Sequence, residues 1–170
     1  MTDAFAERIH LQPWDYPEPH IIQHTATPAE ADGYGHINNS AYLRWLDECV
    51  WDHCLAVDMP PERCRRLDRG FAVTRHEILY LRAAYPGDEL AIGNWVTRND
   101  GKLRAQRQFQ IIRVHDSTTL LRATSDYICT TLSTGKPIRQ PPEFRTVFSV
   151  QTTLSQQVSE KGPELNRTDP

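Results

Sequence analysis

Apolar and polar residues alternate with different periods along the chain, and the changes of period mark out its elements. His20–Thr27 (HIIQHTAT) is short and β-rich and predicts a first strand. Pro28–Gly35 is turn-rich, with glycines at 33 and 35. Asn38 and Asn39 then stand where a helix cap belongs, before SAYLRWLDECVWDHCLAV, which lacks Gly and Pro and stops at Met59-Pro60-Pro61. Ser40, Arg44, Asp47, Glu48 and Asp52 recur at steps of three or four and form one narrow polar stripe. Nearly everything else in that stretch is apolar, which predicts a buried helix. The basic connector PPERCRRLDRG reads as incompatible with a helix.

Strand patterns follow. Phe71–Tyr85 is one long run closed by Pro86-Gly87-Asp88, and Glu89–Arg98 carries Leu90, Ile92 and Val96 on one face. Asn99-Asp100-Gly101 is a hairpin turn, because Asp-Gly tolerates the positive φ such turns need. In Leu103–Val114, Leu103, Ala105, Phe109 and Ile111 alternate with Arg104, Gln106, Gln108 and Gln110. His115-Asp116-Ser117 turns the chain into Thr119–Leu132. One helix wrapped by an antiparallel sheet is an α+β arrangement. Residues 1–18 form an extended, proline-rich lead, 19–150 the folded domain, and 151–170 a polar tail expected to be disordered.

Composition narrows the possible functions. The 170 residues suit a single domain, and a net charge of −3 excludes the basic excess of a dedicated nucleic-acid binder. No apolar run approaches the ~20 residues that span a bilayer, so no membrane association is expected. The first residues show neither a basic nor an apolar signal region, and the expectation is a cytoplasmic chain. Cys49, Cys54, Cys64 and Cys129 have no C-x-x-C spacing and His76-Glu77 opens no H-E-x-x-H, so neither disulfides nor a metal site is expected.

The segment before the helix is where chemistry concentrates. Asp32 precedes the first helical turn by about seven residues, with Gly33 and Gly35 allowing a tight fold between them. A helix N-terminus offers unpaired N–H groups and roughly half a positive charge, so an acid looped against it pairs a nucleophile or base with an oxyanion site. The same residues serve ordinary turn chemistry equally well: Asp32 in an Asx turn, Asn38-Asn39 as a cap. Asp47-Glu48 reads as a solvated or Arg44-paired stripe, and Tyr42, Trp45 and Trp51 as core or groove lining.

The string DGYGHINNSAYLRWLDE, Asp32–Glu48, resembles the D-x-x-G-H-x-N-N-x-x-Y-L signature of the 4-hydroxybenzoyl-CoA thioesterase-like family of hotdog-fold acyl-CoA thioesterases. Tyr80-Leu81-Arg82 and Tyr85-Pro86-Gly87-Asp88-Glu89-Leu90 are similar to that family's second-to-third strand join, and the likeness spans about residues 20–145. It implies a five-stranded antiparallel sheet around one long central helix. It also implies hydrolysis of an acyl-CoA to free acid and CoA, with coenzyme A entering only as part of the substrate and no other cofactor. Asp32 falls on the catalytic carboxylate, as nucleophile or as base toward water. The Asn39 backbone N–H, with Ser40 beside it, falls on the oxyanion position, and His36 borders the site. Tyr34 and Tyr42, with Arg63, Arg65 and Arg66 for the CoA phosphates, are the expected substrate contacts. Self-association as a dimer or tetramer is implied as well. Alternatives within the resemblance are an acyl-carrier-protein thioesterase and a hotdog module that binds acyl-CoA without turnover. A hotdog hydratase is disfavoured because no D-x-N-x-x-H or G-H-F-P loop is present.

Overall fold

A computed structural model describes residues 8–150. Five strands, β1 (His20–Thr25), β2 (Gly70–Tyr80), β3 (Glu89–Asn99), β4 (Arg104–Arg113) and β5 (Thr118–Thr130), form one antiparallel sheet ordered β1-β3-β4-β5-β2. Helix α1 (Asn39–Ala56) lies across it, chiefly against β3 and β1. This is the expected hotdog arrangement.

Packing on the concave face explains why α1 is held there. Ala41, Tyr42, Trp45, Leu46 and Cys49 meet Leu90, Ile92, Phe109, Ile111, Leu121 and Ala123 in one buried cluster. Trp45 is wholly buried; a ring of that size removes roughly 200 Å² from water, worth about 5 kcal/mol before ordering costs. α1 buries only one face, however. Leu43, Trp51 and Leu55 stay exposed on the other, so the all-round burial expected from the sequence is not met within one chain.

Two further helices depart from the sequence reading. Pro61–Leu67 is helix α2 rather than a helix-incompatible connector. Its first residue is proline, which suits the first helical position because that N–H has no intrahelical partner. Pro142–Val147 is a short helix α3 that buries Phe144. β2 ends at Tyr80, five residues before the expected end, because its neighbour lies elsewhere. β2 pairs with β5 at one edge whereas β3 pairs with β1 and β4, so residues 81–88 must cross the end of the sheet. That crossing runs past the N-terminus of α1.

Residues 8–19 lie on the convex face of the sheet and begin with a helical stretch at 8–10, where an extended lead was expected. Trp14 packs edge-on against Trp95 and rests on Gly93, where a Cβ would stand 2.7 Å from its ring. Gln110, fully buried, accepts from the Asp15 N–H at 2.8 Å and donates to the Pro13 carbonyl, and Arg122 pairs with both oxygens of Asp15. The polar tail expected at 151–170 lies outside the described residues.

One position breaks the β4 alternation. Arg107 falls on the core-facing side with Ala105, Phe109 and Ile111, and is 6% exposed. It donates to Asn94 Oδ1 at 2.5 Å and to His53 Nδ1 at 2.6 Å, and its guanidinium sits 5.5 Å from the Phe148 ring. No carboxylate pairs with it among the described residues.

Candidate active site

The Asp32 loop is a small closed hairpin. Its base is an antiparallel bridge, Ala31 to Ile37, and the Asp32 N–H donates to the His36 carbonyl at 2.8 Å. Gly35 takes φ +79°, a conformation that L side chains rarely adopt, and its N–H closes onto the Asp32 carbonyl. The Asx turn is present: Asp32 Oδ1 accepts from the Tyr34 N–H at 2.8 Å. Asp32 Oδ2 has no hydrogen-bond partner among the described residues, and the side chain is only half-buried.

Helix α1 begins where this loop ends. Asn38 is its cap, and the Asn38 side chain accepts from both the N–H and the hydroxyl of Ser40, at 2.9 and 2.8 Å. The Ala41 N–H donates to the Asn38 carbonyl. Of the first three helical amides, that leaves only the Asn39 N–H without an acceptor among the described residues. Asn39 therefore keeps an open amide at the start of the helix, whereas the Ser40 amide is consumed by the cap. The Asn39 carbonyl is approached by the Tyr80 hydroxyl at 3.4 Å.

The 81–88 crossing braces the loop from the other side. The Ala84 carbonyl accepts from the Ile37 N–H at 3.0 Å, and the Ala84 N–H donates to the Tyr42 hydroxyl at 2.8 Å. Tyr42 is thereby a buried scaffold residue, not a groove-lining one, and burial pushes its phenol pKa upward. His36 is exposed, its ring edge-on to Tyr85 at 5.2 Å, and Tyr34 at 88% exposure touches little of its own chain.

The arginines expected to meet CoA phosphates are not brought to this loop. Arg63 and Arg65 are engaged by Asp58 and Glu62, at 2.6 and 2.7 Å, and Arg66 is exposed on the same helix. α2 follows the C-terminal end of the 18-residue helix α1, whose length of roughly 27 Å separates Asn39 from the turn that leads into α2. Tyr80 and Tyr85, which the sequence offers only as part of the strand join, reach Asn39 and His36 respectively; their place depends on where the 81–88 crossing runs, which no local pattern reveals.

Glu30 was also missed. Its carboxylate, 8% exposed, accepts from the Thr27 N–H (2.8 Å), the Thr27 hydroxyl (3.1 Å), His24 Nε2 (3.1 Å), Trp45 Nε1 (2.9 Å) and Arg44. Burial alone would raise its pKa; the bonds from the Thr27 backbone, His24, Trp45 and the Thr27 hydroxyl outweigh that and bring it down to about 2. Thr27-x-x-Glu30 matches the capping-box spacing, a signal the sequence does carry. Among the described residues no group of three or more His, Cys, Asp or Glu side chains is arranged to hold a metal ion.

Residues 26–148 match the model of the thioesterase-like superfamily. No curated protein matches the chain. Among solved structures it is similar to a 1,4-dihydroxy-2-naphthoyl-CoA thioesterase from Synechocystis, at 17% identity over 77% of this chain and 96% of that one, with a TM-score of 0.69. A DHNA-CoA thioesterase from Staphylococcus aureus is 20% identical over 84% of this chain and 93% of its own, with a TM-score of 0.70. A hypothetical protein from Staphylococcus aureus, solved in complex with CoA, is 15% identical over 79% and 84%, with a TM-score of 0.71. At these identities the likeness shows a shared fold.

Proposed function

The chain belongs to the thioesterase-like superfamily, and on that premise we propose that it hydrolyses an acyl-CoA thioester to a free acid and CoA. The observation that carries this reading lies at the start of α1: a half-buried carboxylate with one oxygen unengaged among the described residues, seven residues before Asn39, whose amide opens a capped helix and has no acceptor among those residues. A thioester carbonyl is already electrophilic and a thiolate leaves readily, so one aligned acid and one oxyanion donor suffice.

Asp32 either attacks the carbonyl carbon or takes the proton of a water that does. On both routes negative charge builds on the carbonyl oxygen, and the Asn39 N–H together with the positive end of the helix dipole stabilises it; one such donor is commonly worth ~3–4 kcal/mol. The C–S bond then breaks, CoA departs as thiolate and is protonated, and water supplies the hydroxyl of the acid product. His36 and Tyr34 border the approach to this point. The solved relative in complex with CoA supports coenzyme A as the carrier.

Thiol release across a panel of acyl-CoA and acyl-carrier-protein thioesters tests the reading. Release by the wild type and its loss in Asp32→Asn is the expected result. No release from any thioester would replace hydrolysis with simple acyl-CoA binding.

Self-association belongs to the same proposal. β2 is a free edge strand whose exposed Val73, Leu79 and Tyr80 adjoin an open sheet edge, and α1 leaves Leu43, Trp51 and Leu55 uncovered. Pairing of two copies there would cover both sets. Light scattering at micromolar concentration is expected to give at least twice the mass of one chain; a monomer would overturn it.

A further inference from the structure

Glu30 stands two residues before Asp32 and joins three elements at one carboxylate. Its Oε2 takes the Thr27 N–H and hydroxyl and His24 Nε2, which ties it to the end of β1 and the short 3-10 helix Pro28–Glu30. Its Oε1 takes Trp45 Nε1 and Arg44, which ties it to the second turn of α1. The Glu30 main chain reaches the cap as well, because its carbonyl accepts from the Asn38 N–H at 2.9 Å. The loop that carries Asp32 and the helix that offers the Asn39 amide are thus fixed to each other through one residue.

Saturation by these donors excludes Glu30 from attack, since both oxygens are occupied and the side chain is shielded from water. It also makes the joint stiff. A carboxylate held from several directions can neither rotate nor shift without losing charge-assisted bonds. Hydrolysis needs the reacting oxygen and the oxyanion donor at a fixed separation, and displacement by ~1 Å costs on the order of a hundredfold.

We propose that Glu30 is a positioning residue for thioester hydrolysis, setting the Asp32 carboxylate against the first amide of α1. This rests on the reading of Asp32 and Asn39 given above. The low pKa of the Glu30 carboxylate, about 2, agrees with it, since the clamp stays charged throughout the neutral range.

The experiment compares Glu30→Gln, Arg44→Gln and Asp32→Asn for kcat and KM of thiol release, with thermal unfolding of each. Glu30→Gln keeps the shape but loses the charge and one acceptor oxygen. Its kcat is expected to fall ~10–100-fold with KM within about twofold, because alignment is lost while substrate contacts remain. Arg44→Gln removes one exposed donor and leaves the core alone, so a smaller kcat loss of several-fold is expected even if Glu30→Gln fails to fold. Wild-type kcat per folded molecule in both Glu30→Gln and Arg44→Gln, alongside an inactive Asp32→Asn, would overturn the proposal and leave the assignment of Asp32 standing. An active Asp32→Asn would overturn that assignment and this proposal with it.

Discussion

Helix α1 meets two opposite environments at its two ends. At Asn39 it is open to solvent, capped by a neutral asparagine, and preceded by the tight loop that carries the half-engaged carboxylate of Asp32. Toward its C-terminal end its sheet-facing side is covered by Phe148 at His53 and Cys54, and the charge beside it is the Arg107 guanidinium, buried among neutral partners. A buried cation without a counter-ion is costly. The last turn of a helix carries roughly half a negative charge, and Arg107 reaches that turn through His53, which lowers the cost. His53 in turn must stay neutral: burial, then the Arg107 and His20 charges, lower its pKa to about 3. One helix dipole therefore serves two ends, with the positive end left free to meet charge that develops during a reaction and the negative end spent on a charge that is always present. Chemistry is expected at the first and stability at the second.

Removing the acid tests the open end hardest. Asp32→Asn keeps the acceptor for the Tyr34 N–H, so thiol release is expected to fall by about a thousandfold or more, roughly 4 kcal/mol in activation free energy, without a shift in Tm. A Tm loss in place of the rate loss would reverse the two roles. At the closed end, Arg107→Met leaves Asn94 and His53 without their donor. Urea unfolding is expected to show about 2–4 kcal/mol of lost stability, while kcat per folded molecule stays within about twofold. A large kcat drop would mean that the closed end takes part in the chemistry.

Acid titration separates the ends more finely. The folded-state pKa of His53 is depressed below its unfolded value near 6.5, so the unfolded chain gains a proton first and stability is lost as pH falls from about 6.5 toward 3. Glu30, with its folded pKa at about 2 and an unfolded value near 4.5, adds a second loss only below about 4.5. Chemical denaturation across pH 7 to 3 is expected to show the first limb at up to about 1.4 kcal/mol per pH unit, and His53→Phe should flatten it. The smallest effect is at the cap, where Asn38→Ala is expected to cost about 1 kcal/mol in Tm-derived stability.

Much of this is legible in the sequence. The α1 pattern, the Asp100-Gly101 turn and the alternation in β4 located the helix and its strands, because each depends on neighbours within a few residues. PPERCRRLDRG reads as helix-incompatible, yet Pro61 opens α2, a first helical position where proline is favoured. Arg107 sat at a core-facing step of its own strand, so the period marked it, but only tertiary packing supplies the His53 and Asn94 acceptors that allow a cation there. The Asp32 motif was readable as a string. Its bracing was not: Ala84 and Tyr85 reach the loop only because β2 pairs with β5, and the Arg63–Arg66 cluster misses it because a whole helix lies between.

The Trp14–Asp15 strap has a mechanical consequence. It is fastened to β3 at Gly93 and Trp95, to β4 at Gln110 and to β5 at Arg122, across the direction of the strands. Such a brace resists sliding of three adjacent strands past one another, and tension applied at the N-terminus reaches the sheet through several anchors at once. Cutting the chain before Pro19 would release that brace in one step and bare the Trp95 ring and the Gln110 amide together.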